Sequence, residues 1–436
     1  MIRRDFMKSS VLAAGALVAP HSLFSKEQKI KLAILGTGWW GTDYLLGYAM
    51  ISNQFDIVAL CDVNEVALQK AANKVAEAGN PKPKLFASYQ EMYQMPGLEA
   101  VAIATPTYWH ALQFIEACEQ GLHVFLEKPI SYDIREGQAM VKAHQKAKNV
   151  VQVDFPRMMA DINDQVKRYI QSGEAGKILQ VRANIHNPEG PLVEKAIPDT
   201  MDYHSYCGPA PKQPYLCNPN NDYPNWRGQH EFSRGIMVDW GIHYLHNVRY
   251  VMDLNLPAKV SAFGGSVKNF TTDNPDHLDV RYDFEELPVY WSHKTWGYAS
   301  PTPEHDIGIY YYGEKATIFA GDSGWEVYPK GGNKISHGKV AFDPVSPADA
   351  ENYSQIMVDM FVEFANGVRR KSNQGITNQL DQAFKTTSMV NYGDMAFRAN
   401  SEIVIEAATM DITNNQQASE MLKRPYRSPY KHPSIS

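Results

Sequence analysis

Hydrophobic and polar positions change along the first third of the chain in blocks that predict strands and helices by turns. The blocks that predict buried strands are short apolar runs at 31–35, 57–61, 100–104 and 124–126. The stretches with helical spacing lie between them, at 39–51, 66–78 and 108–120. Continuous apolar strands separated by amphipathic helices are typical of a parallel sheet covered on both faces. With right-handed crossovers, this pattern predicts a doubly wound α/β domain.

The pattern changes after residue 153, where a helix at 162–172 is followed by an alternating strand at 178–185. Later apolar runs predict strands at 260–263, 278–282, 289–294, 306–312 and 316–320, and later helical stretches lie at 352–365 and 379–396. This composition predicts an α+β domain built on a large, open, mostly antiparallel sheet. Residues 186–230 are rich in Pro, Asn and Tyr, which predicts a long irregular excursion of a kind that is often functional.

The first residues predict an export signal that is not part of the fold. Arg3 and Arg4 are followed by Phe6 and Lys8, and then by an uncharged, mostly apolar run at 9–20. A basic start, an apolar middle and a small-residue exit form the layout of a secretory signal. The adjacent arginines resemble the twin-arginine type, so we expect export to the periplasm.

Composition narrows the classes of function. The 436 residues are 44% hydrophobic and 21% charged, which is ordinary for globular domains, and the formal net charge is −6. An acidic balance argues against a protein that binds nucleic acid by neutralising phosphates. No segment after the predicted signal has the length and uniform apolarity of a membrane span.

Four cysteines occur, and their positions indicate no metal site. Cys61 and Cys118 fall in a predicted strand and a predicted helix, where buried thiols are expected. Cys207 and Cys217 share one Pro-rich loop and could form a disulfide in an exported protein, a question that the sequence leaves open. We expect no bound metal because neither a CxxC pair nor a His-rich spacing is present.

A glycine motif directly follows the first predicted strand and opens the first predicted helix. Gly36, Gly38 and Gly41 fit G-x-G-x-x-G, in which the glycines permit a tight turn, a close approach to pyrophosphate and close helix packing. The helix N-terminus presents free N–H groups to the phosphates. Asp62 ends the second strand, where a carboxylate accepts hydrogen bonds from the ribose hydroxyls and repels a 2′-phosphate. The motif therefore predicts bound NAD(H) and disfavours NADP(H).

Two more strand ends lie at the same predicted edge of the sheet, where ligands bind in such folds. Thr105 and Pro106 follow one strand, and Glu127 and Lys128 follow the next. The residues expected to contact the cofactor are Gly36, Thr37, Gly38, Trp39, Trp40, Gly41, Asp62, Thr105, Pro106, His110, Glu127 and Lys128.

A second cluster lies in the later part of the chain. In a helix, Asp239 and His243 would be one turn apart and share a face. Such a pair can orient an imidazole as a general base. Seen alone, the same pair is more typical of a buried Asp–His contact without catalytic function.

Taken in order, these motifs resemble the family of glucose–fructose oxidoreductase, inositol dehydrogenase and MocA (Gfo/Idh/MocA), whose members are sugar-acting dehydrogenases. The segments that carry the resemblance are 36–41, 104–106, 127–129 and 239–243. The resemblance covers roughly residues 30–400 and implies a Rossmann NAD-binding domain at 29–152. It also implies a substrate-binding domain at 153–416, whose open sheet lines the cleft. A signal at 1–28 and an extended tail at 417–436 complete the predicted domain plan.

The resemblance implies roles for single residues. His243 would exchange a proton with the reacting hydroxyl, and Lys128 would hydrogen-bond that hydroxyl and stabilise the developing oxyanion. Asp239 would orient the site or contribute to the proton path. The implied substrate contacts are Arg157, Trp226, Arg227 and His243. Because the open sheets of this family often pair between subunits, a homo-oligomer is also implied.

Two features depart from the family pattern. Trp39 and Trp40 are unusually bulky residues between the glycines. Asp154 to Arg157 stand where many members have a more basic segment, so the substrate contacts at this position are in doubt.

Three functions compete on this evidence. The first is hydride transfer between a carbohydrate hydroxyl and an NAD that is tightly bound, because free NAD is scarce outside the cytoplasm. The second is a glycoside hydrolase, since some relatives oxidise a sugar transiently, cleave the glycosidic bond and return the hydride. The third is a sugar-sensing or assembly protein with a relic fold, against which Lys128, Asp239 and His243 argue.

Overall fold

The structure is a computed structural model that describes residues 28–186, 190–267, 272–297, 305, 307–322, 324–337 and 354–434. The predicted export signal at 1–28 lies outside the described residues except for its last position, as do the first two residues of the helix predicted at 352–365. Within the described residues, two sheets organise the chain: a six-stranded sheet is followed by a ten-stranded one.

The first sheet is wholly parallel and carries helices on both faces. Its strands are β1 Ile30–Leu35, β2 Phe55–Cys61, β3 Lys84–Phe86, β4 Ala100–Ile103, β5 His123–Leu126 and β6 Val151–Val153. The helices of this part are α1 Gly47–Ile51, α2 Glu65–Glu77, α3 Tyr89–Tyr93, α4 Thr107–Glu119 and α5 Ile134–Ala147. The strand order is β3-β2-β1-β4-β5-β6, which confirms the doubly wound prediction. The winding reverses between β1 and β4, so a crevice opens above their carboxyl ends.

The second sheet is mixed but mostly antiparallel, as the sequence predicts. The strands of the second part are β7 Ile178–His186, β8 Val193–Glu194, β9 Leu216–Cys217, β10 Lys259–Gly265, β11 His277–Asp283, β12 Pro288–Lys294, β13 Ile307–Gly313, β14 Ala316–Gly321, β15 Gly324–Pro329, β16 Ile335–His337, β17 Ile403–Glu406 and β18 Asp411–Ile412. Strands β8 and β9 form a separate hairpin, and the others lie in the order β16-β15-β14-β13-β7-β12-β11-β10-β17-β18. Strands β7 and β12 form the one parallel pair among those described for this sheet.

Helices cover one face of the second sheet. The helices of this part are α6 Ile162–Gln171, α7 Tyr203–Cys207, α8 Ile242–Val251, α9 Gln355–Arg370, α10 Leu380–Arg398 and α11 Gln416–Glu420. Helices α8 and α10 pack on the sheet and form its apolar core together with the inward-facing strand residues. On the other face, the side chain of Phe263 is 70% exposed.

Two expectations of local structure differ from what the structure shows, and one open question is answered. The helix predicted at 39–51 begins with a π-helical segment, Trp40–Leu46, before it continues as α1. The segment predicted to be an extended tail over the surface starts with helix α11, and its Arg424 is only 7% exposed. The disulfide that the sequence left open is not formed, because Cys207 and Cys217 are both buried free thiols.

Helix α9 comes from the later part of the chain but packs on the first sheet. Phe361 stacks on Phe125 of β5 with 4.6 Å between the ring centroids and meets Phe55 of β2 edge-on. These residues belong to an apolar cluster that fills the space between the sheet and α9. One face of the first sheet is therefore covered by α9, which lies far beyond the predicted domain boundary at residue 152. Of the helices that the structure describes, none is long and apolar enough to cross a membrane.

We expect Phe361→Ala to lower the free energy of unfolding by about 3–5 kcal/mol, because it leaves a cavity at a fully buried aromatic contact. The exposed Phe263 is the matched control, and Phe263→Ala is expected to change stability by less than about 0.5 kcal/mol. Urea unfolding followed by tryptophan fluorescence measures both. Equal effects of the two substitutions would show that α9 does not stabilise the first domain in this way.

Candidate active site

The glycine turn leaves an open space at the carboxyl edge of the first sheet. Gly36 has φ +89°, and a Cβ there would lie 2.8 Å from the backbone of Ala104 and Thr105. A Cβ on Gly41 would lie 1.9 Å from the carbonyl oxygen of Gly36, so the helix approaches the turn as closely as glycine allows. Gly38 differs, because a Cβ there would meet no atom within 4 Å and would project into the cavity. This arrangement matches the three roles of the glycines and leaves room for pyrophosphate.

Asp62 lies at the end of β2 and is held in place by the glycine turn. Its carboxylate accepts hydrogen bonds from the backbone N–H and the hydroxyl of Thr37, at 2.6 and 3.1 Å, and from the N–H of Asn64. Burial raises the pKa of Asp62, while the donors from Asn64 and Thr37 act in the opposite direction. Thr37 itself is 1% exposed, so it serves the site by positioning this carboxylate.

The loop after β4 is fixed from behind. Thr105 lines the cavity and its hydroxyl donates to the side-chain carbonyl of Gln113 on α4. The ring nitrogens of His110 lie 2.7 Å from the carbonyl oxygen of Thr105 and 2.8 Å from that of Pro129. Burial lowers the pKa of His110 to about 4. His110 is expected to contact the cofactor, but the structure places it behind the cavity wall, where it joins the loops after β4 and β5.

Lys128, Asp239 and Arg227 form a chain of ion pairs across the cleft, in which Lys128 and Asp239 are nearly buried and Arg227 is 43% exposed. The ammonium of Lys128, after β5, donates to the carboxylate of Asp239 at 2.9 Å and to its backbone carbonyl at 2.8 Å. The Nε of Arg227 donates to the other carboxylate oxygen at 2.9 Å. Although burial alone would raise it, the charges of Arg227 and Lys128 hold the pKa of Asp239 at about 2. The Lys128 ammonium is thereby held at a fixed point above the sheet edge.

His243 faces the same cavity, but its relation to Asp239 differs from the expectation. Asp239 lies in a π-helical segment, Met237–Gly241, and His243 in the helix that continues from it. The carboxylate of Asp239 is directed to Lys128 and Arg227, and the buried Nδ1 of His243 has no hydrogen-bond partner among the described residues. The expected orientation of the imidazole by Asp239 is therefore wrong for this structure. Burial, together with the nearby charges of Lys128 and Arg157, lowers the pKa of His243, so the ring is neutral at pH 7 and can accept a proton.

A pair of acids lies beside Lys128, made of Glu127, which is an expected cofactor contact, and Asp154, which is not among the predicted site residues. Glu127 and Asp154 end the neighbouring strands β5 and β6, and the indole N–H of Trp40 donates to both carboxyl groups. Burial, reinforced by Asp154, raises the pKa of Glu127 well above its ordinary value, and burial also raises that of Asp154. The buried Oδ1 of Asp154 has no hydrogen-bond partner among the described residues. The unusual Trp40 and Asp154 thus belong to one arrangement.

These groups converge on one cavity of about 870 Å³ that lies between the two sheets. The predicted site residues on its wall are Gly36, Gly38, Trp39, Trp40, Gly41, Asp62, Thr105, Pro106, Glu127, Lys128, Arg157, Trp226, Arg227, Asp239 and His243. Thr37 and His110 lie behind the wall. Lining residues that sequence reasoning missed include Asp154, Trp240, Tyr206 and Tyr430. Tyr206 and Tyr430 belong to no motif and are brought to the cavity by long-range packing. Asp154 and Trp240 lie in the segments 154–157 and 239–243, which the sequence analysis singled out for other reasons.

Arg157 lines the cavity, but its guanidinium is engaged by the protein. Nε and Nη2 donate to the two carboxylate oxygens of Asp322 at 2.9 and 2.6 Å, which is a bidentate geometry. The guanidinium also lies over the rings of Trp240 and Tyr244. The structure therefore assigns Arg157 a supporting role beneath Trp240, in keeping with the departure from the family pattern at this segment.

An open dinucleotide cradle on a doubly wound sheet, faced by a lysine and a neutral histidine, defines the class of nicotinamide-dependent oxidoreductases. Beside this cradle, two buried atoms, Oδ1 of Asp154 and Nδ1 of His243, have no hydrogen-bond partner among the described residues. The chain belongs to the Gfo/Idh/MocA family. Residues 30–155 match its oxidoreductase family model with an NAD-binding Rossmann fold, and residues 163–319 match its C-terminal domain. The expected family and the expected NAD-binding domain are confirmed.

The relatives of known name include glycosyl hydrolases and inositol dehydrogenases. A glycosyl hydrolase family 109 protein of Stenotrophomonas maltophilia is 32% identical over 134 residues, which are 29% of this chain and 29% of that protein. An inositol 2-dehydrogenase of Salmonella typhimurium is 30% identical over 159 residues, which are 36% of this chain and 46% of that protein. The chain therefore spans less than half the length of these curated relatives.

Solved structures share the fold over nearly the whole chain. An oxidoreductase from Agrobacterium radiobacter, in complex with NAD+, L-tartaric acid and magnesium, has a TM-score of 0.65 at 15% identity and covers 88% of this chain and 100% of its own. A levoglucosan dehydrogenase, in complex with NADH and levoglucosan, has a TM-score of 0.63 at 16% identity and covers 86% and 99%. At these identities the likeness establishes the fold.

We expect Gly38→Val to weaken NAD binding at least about tenfold, a loss of about 1.4 kcal/mol, without lowering the melting temperature. The reason is that the new side chain enters open cavity space and meets no protein atom. Gly41→Ala is the matched control, since its Cβ would strike the Gly36 carbonyl and must destabilise the fold. Titration calorimetry on nucleotide-free protein and thermal unfolding separate the two effects. Unchanged NAD affinity of Gly38→Val would contradict the placement of the pyrophosphate.

Proposed function

We propose that this protein is an NAD-dependent oxidoreductase that acts on a hydroxyl group of a sugar, a cyclitol or a glycoside. The observation that carries the proposal is the convergence of Lys128, Asp239 and His243 in one cavity beside the open glycine turn. The names of the relatives, inositol 2-dehydrogenase and glycosyl hydrolase, support a polyhydroxylated substrate. NAD+, when bound here, supplies a hydride acceptor that no side chain can replace.

The side chains supply proton transfer and charge stabilisation. Neutral His243, which lines the cavity, takes the proton of the reacting hydroxyl. The Lys128 ammonium, held by Asp239, donates a hydrogen bond to the same oxygen and stabilises the negative charge that develops there. Asp239 acts as a positioning residue in this scheme, because both of its carboxylate oxygens are occupied by Lys128 and Arg227.

The residues on the other side of Asp239 suit a carbohydrate ring. Trp226 and Trp240 line the cavity beside the ion pair, and the guanidinium of Arg227 lies 4.4 Å from the ring centroid of Trp226. Aromatic rings offer apolar faces to sugar C–H groups, while the guanidinium offers donors to hydroxyl oxygens. These three residues therefore form the proposed substrate-facing wall.

We further propose that NAD stays tightly bound. The second candidate function is glycoside hydrolysis, in which the net reaction is redox-neutral. A ketone formed transiently on the sugar acidifies the neighbouring C–H, which permits elimination of the aglycone, addition of water and restoration of the alcohol. This route needs no second catalytic carboxylate at the glycosidic bond. The 32% identity to a glycosyl hydrolase family 109 protein favours it as the second candidate. Export and self-association rest on the sequence alone and stay predictions.

A screen of glycosides and free sugars with the protein as purified tests the proposed function and chooses between its two forms. Simultaneous recording of absorbance at the NADH band and of released product is the measurement. Accumulation of NADH with a free sugar or cyclitol selects the dehydrogenase. Release of the aglycone without added cofactor and without NADH accumulation selects the hydrolase. Turnover of every carbohydrate at the rate of buffer alone contradicts both.

We expect Lys128→Ala and His243→Ala each to lower kcat by about 10²–10⁴-fold on the substrate found in that screen, because each removes a group that acts on the proton or the charge of the reacting oxygen. Lys259→Ala, on the exposed strand β10, is the control and should retain full activity. Full turnover of either active-site variant would show that the catalytic assignment is wrong.

A further inference from the structure

We propose that two segments remote from the glycine motif close over the adenosine half of the bound NAD, and that the nucleotide leaves only when they open. The first is an arm at residues 198–210, within the irregular excursion, and the second is a tail segment, residues 424–432. Together they are named the clasp. The inference rests on the proposed function to the extent that NAD must occupy the cavity.

The arm is bonded to the loop that carries Asp62. The N–H of Glu65 donates to the carbonyl oxygen of Thr200 at 2.9 Å, and the N–H of Asp202 donates to that of Val63 at 3.0 Å. These bonds join the arm, as a short antiparallel bridge, to the backbone directly after the ribose-binding position. Because Asp62 marks the adenosine ribose, the arm crosses the cleft at the adenosine end.

The arm is also fixed to α4 on the opposite side of the cavity. The carbonyl oxygen of Tyr206 accepts hydrogen bonds from the hydroxyl of Tyr108 at 2.8 Å and from the indole N–H of Trp109 at 3.1 Å. Gly208 has φ +51°, and a Cβ there would lie 2.3 Å from the indole ring of Trp109. The backbone of the arm therefore lies flat on this ring, and Ser205 and Tyr206 face the cavity.

The tail segment is hydrogen-bonded to the arm. The guanidinium of Arg427 donates to the carbonyl oxygens of His204 at 2.8 Å, Gly208 at 2.7 Å and Ala210 at 3.1 Å. The ring of Tyr430 meets the ring of Trp109 edge-on, with centroids 5.2 Å apart, and lines the cavity. Arg427 thus binds three carbonyl groups of the arm, and Tyr430 packs beside them against Trp109.

The tail segment is anchored in turn to the nucleotide-binding domain. Asp133 and Glu136 form a capping box at the start of α5, and both carboxylates are fully buried. The backbone N–H of Arg424 donates to Asp133, its guanidinium pairs with Glu136 at 3.3 Å, and His432 lies 3.0 Å from Asp133. Since its two ends are tied to α5, the tail segment cannot lift from the arm without breaking buried ionic contacts.

The clasp adds a second wall to the nucleotide site. Met201, Ser205, Tyr206 and Tyr430 line the cavity together with Asp62 and the glycine turn. A dinucleotide on the cradle is then enclosed by the first domain below and by the clasp above. Its departure requires the arm to separate from residues 63–65, which makes release slow while the fold stays intact.

Arg427→Ala tests the clasp, because it removes the guanidinium that binds three carbonyl groups of the arm and leaves the catalytic groups in place. The backbone N–H of residue 427 keeps its hydrogen bond to the carbonyl oxygen of Pro209. We expect exchange of bound NAD for isotopically labelled NAD to become at least about tenfold faster, which corresponds to about 1.4 kcal/mol of lost barrier. Mass spectrometry of the nucleotide that remains bound, sampled over time, measures the exchange rate. Lys431→Ala, at an exposed position of the same segment, is the matched control and should exchange as the wild type does.

A second variant keeps the test decisive if Arg427→Ala fails to fold. Tyr430→Ala removes the ring that contacts Trp109, and faster exchange is expected for it as well. Exchange at the wild-type rate in a folded Arg427→Ala or Tyr430→Ala protein contradicts the clasp but leaves the proposed function standing. Failure of wild-type protein to bind NAD at all contradicts the proposed function, and the clasp with it.

Discussion

The ion pair between Lys128 and Asp239 is the interaction on which the site depends. It joins a strand end of the first sheet to the π-helical segment that precedes α8 in the second part of the chain. Both side chains are about nine-tenths buried, so each charge needs the other, and removal of one partner of such a pair costs about 3–5 kcal/mol. The same pair places the ammonium beside His243. The contact that closes the two domains on each other therefore also sets the geometry of the reacting centre.

Charge in the cleft is arranged in two layers. Above the sheet edge, Lys128 and Arg227 balance Asp239, so this carboxylate stays ionised and holds the ammonium in position. Below it, burial raises the pKa of Glu127 and that of Asp154, and both carboxyl groups accept a hydrogen bond from the indole of Trp40. His243 stays neutral because it is buried beside the charges of Lys128 and Arg157. A site with a fixed cation and a neutral base suits reversible removal of a hydroxyl proton.

The sequence was sufficient to predict those site residues that lie next to the strands and helices that position them. The glycines, Asp62 and the strand-end residues Thr105 and Lys128 are adjacent to the elements that position them, so their places followed from spacing. Asp239 was found in the sequence but paired with the wrong partner, because the π-helical turn and Lys128 determine where its carboxylate points.

The features that escaped sequence reasoning all depend on contacts between remote segments. Asp154 accepts a hydrogen bond from Trp40, which is more than a hundred residues away in the chain. Arg427 meets the arm only because the later domain folds back along α5. The sequence predicts an extended tail at 417–436. In the structure, Arg424 of this tail is instead buried, because it pairs with the buried carboxylate of Glu136 in the capping box. Periodicity carries no information on such pairings.

The central claim is that the cleft holds NAD as a resident cofactor of the folded protein. The most direct measurement is the nucleotide content of the protein as purified, determined by denaturing the chain and quantifying the released nucleotide by mass spectrometry against protein concentration. The account predicts close to one NAD per chain after extensive dialysis. Protein that folds correctly and carries no nucleotide after the same dialysis would contradict it.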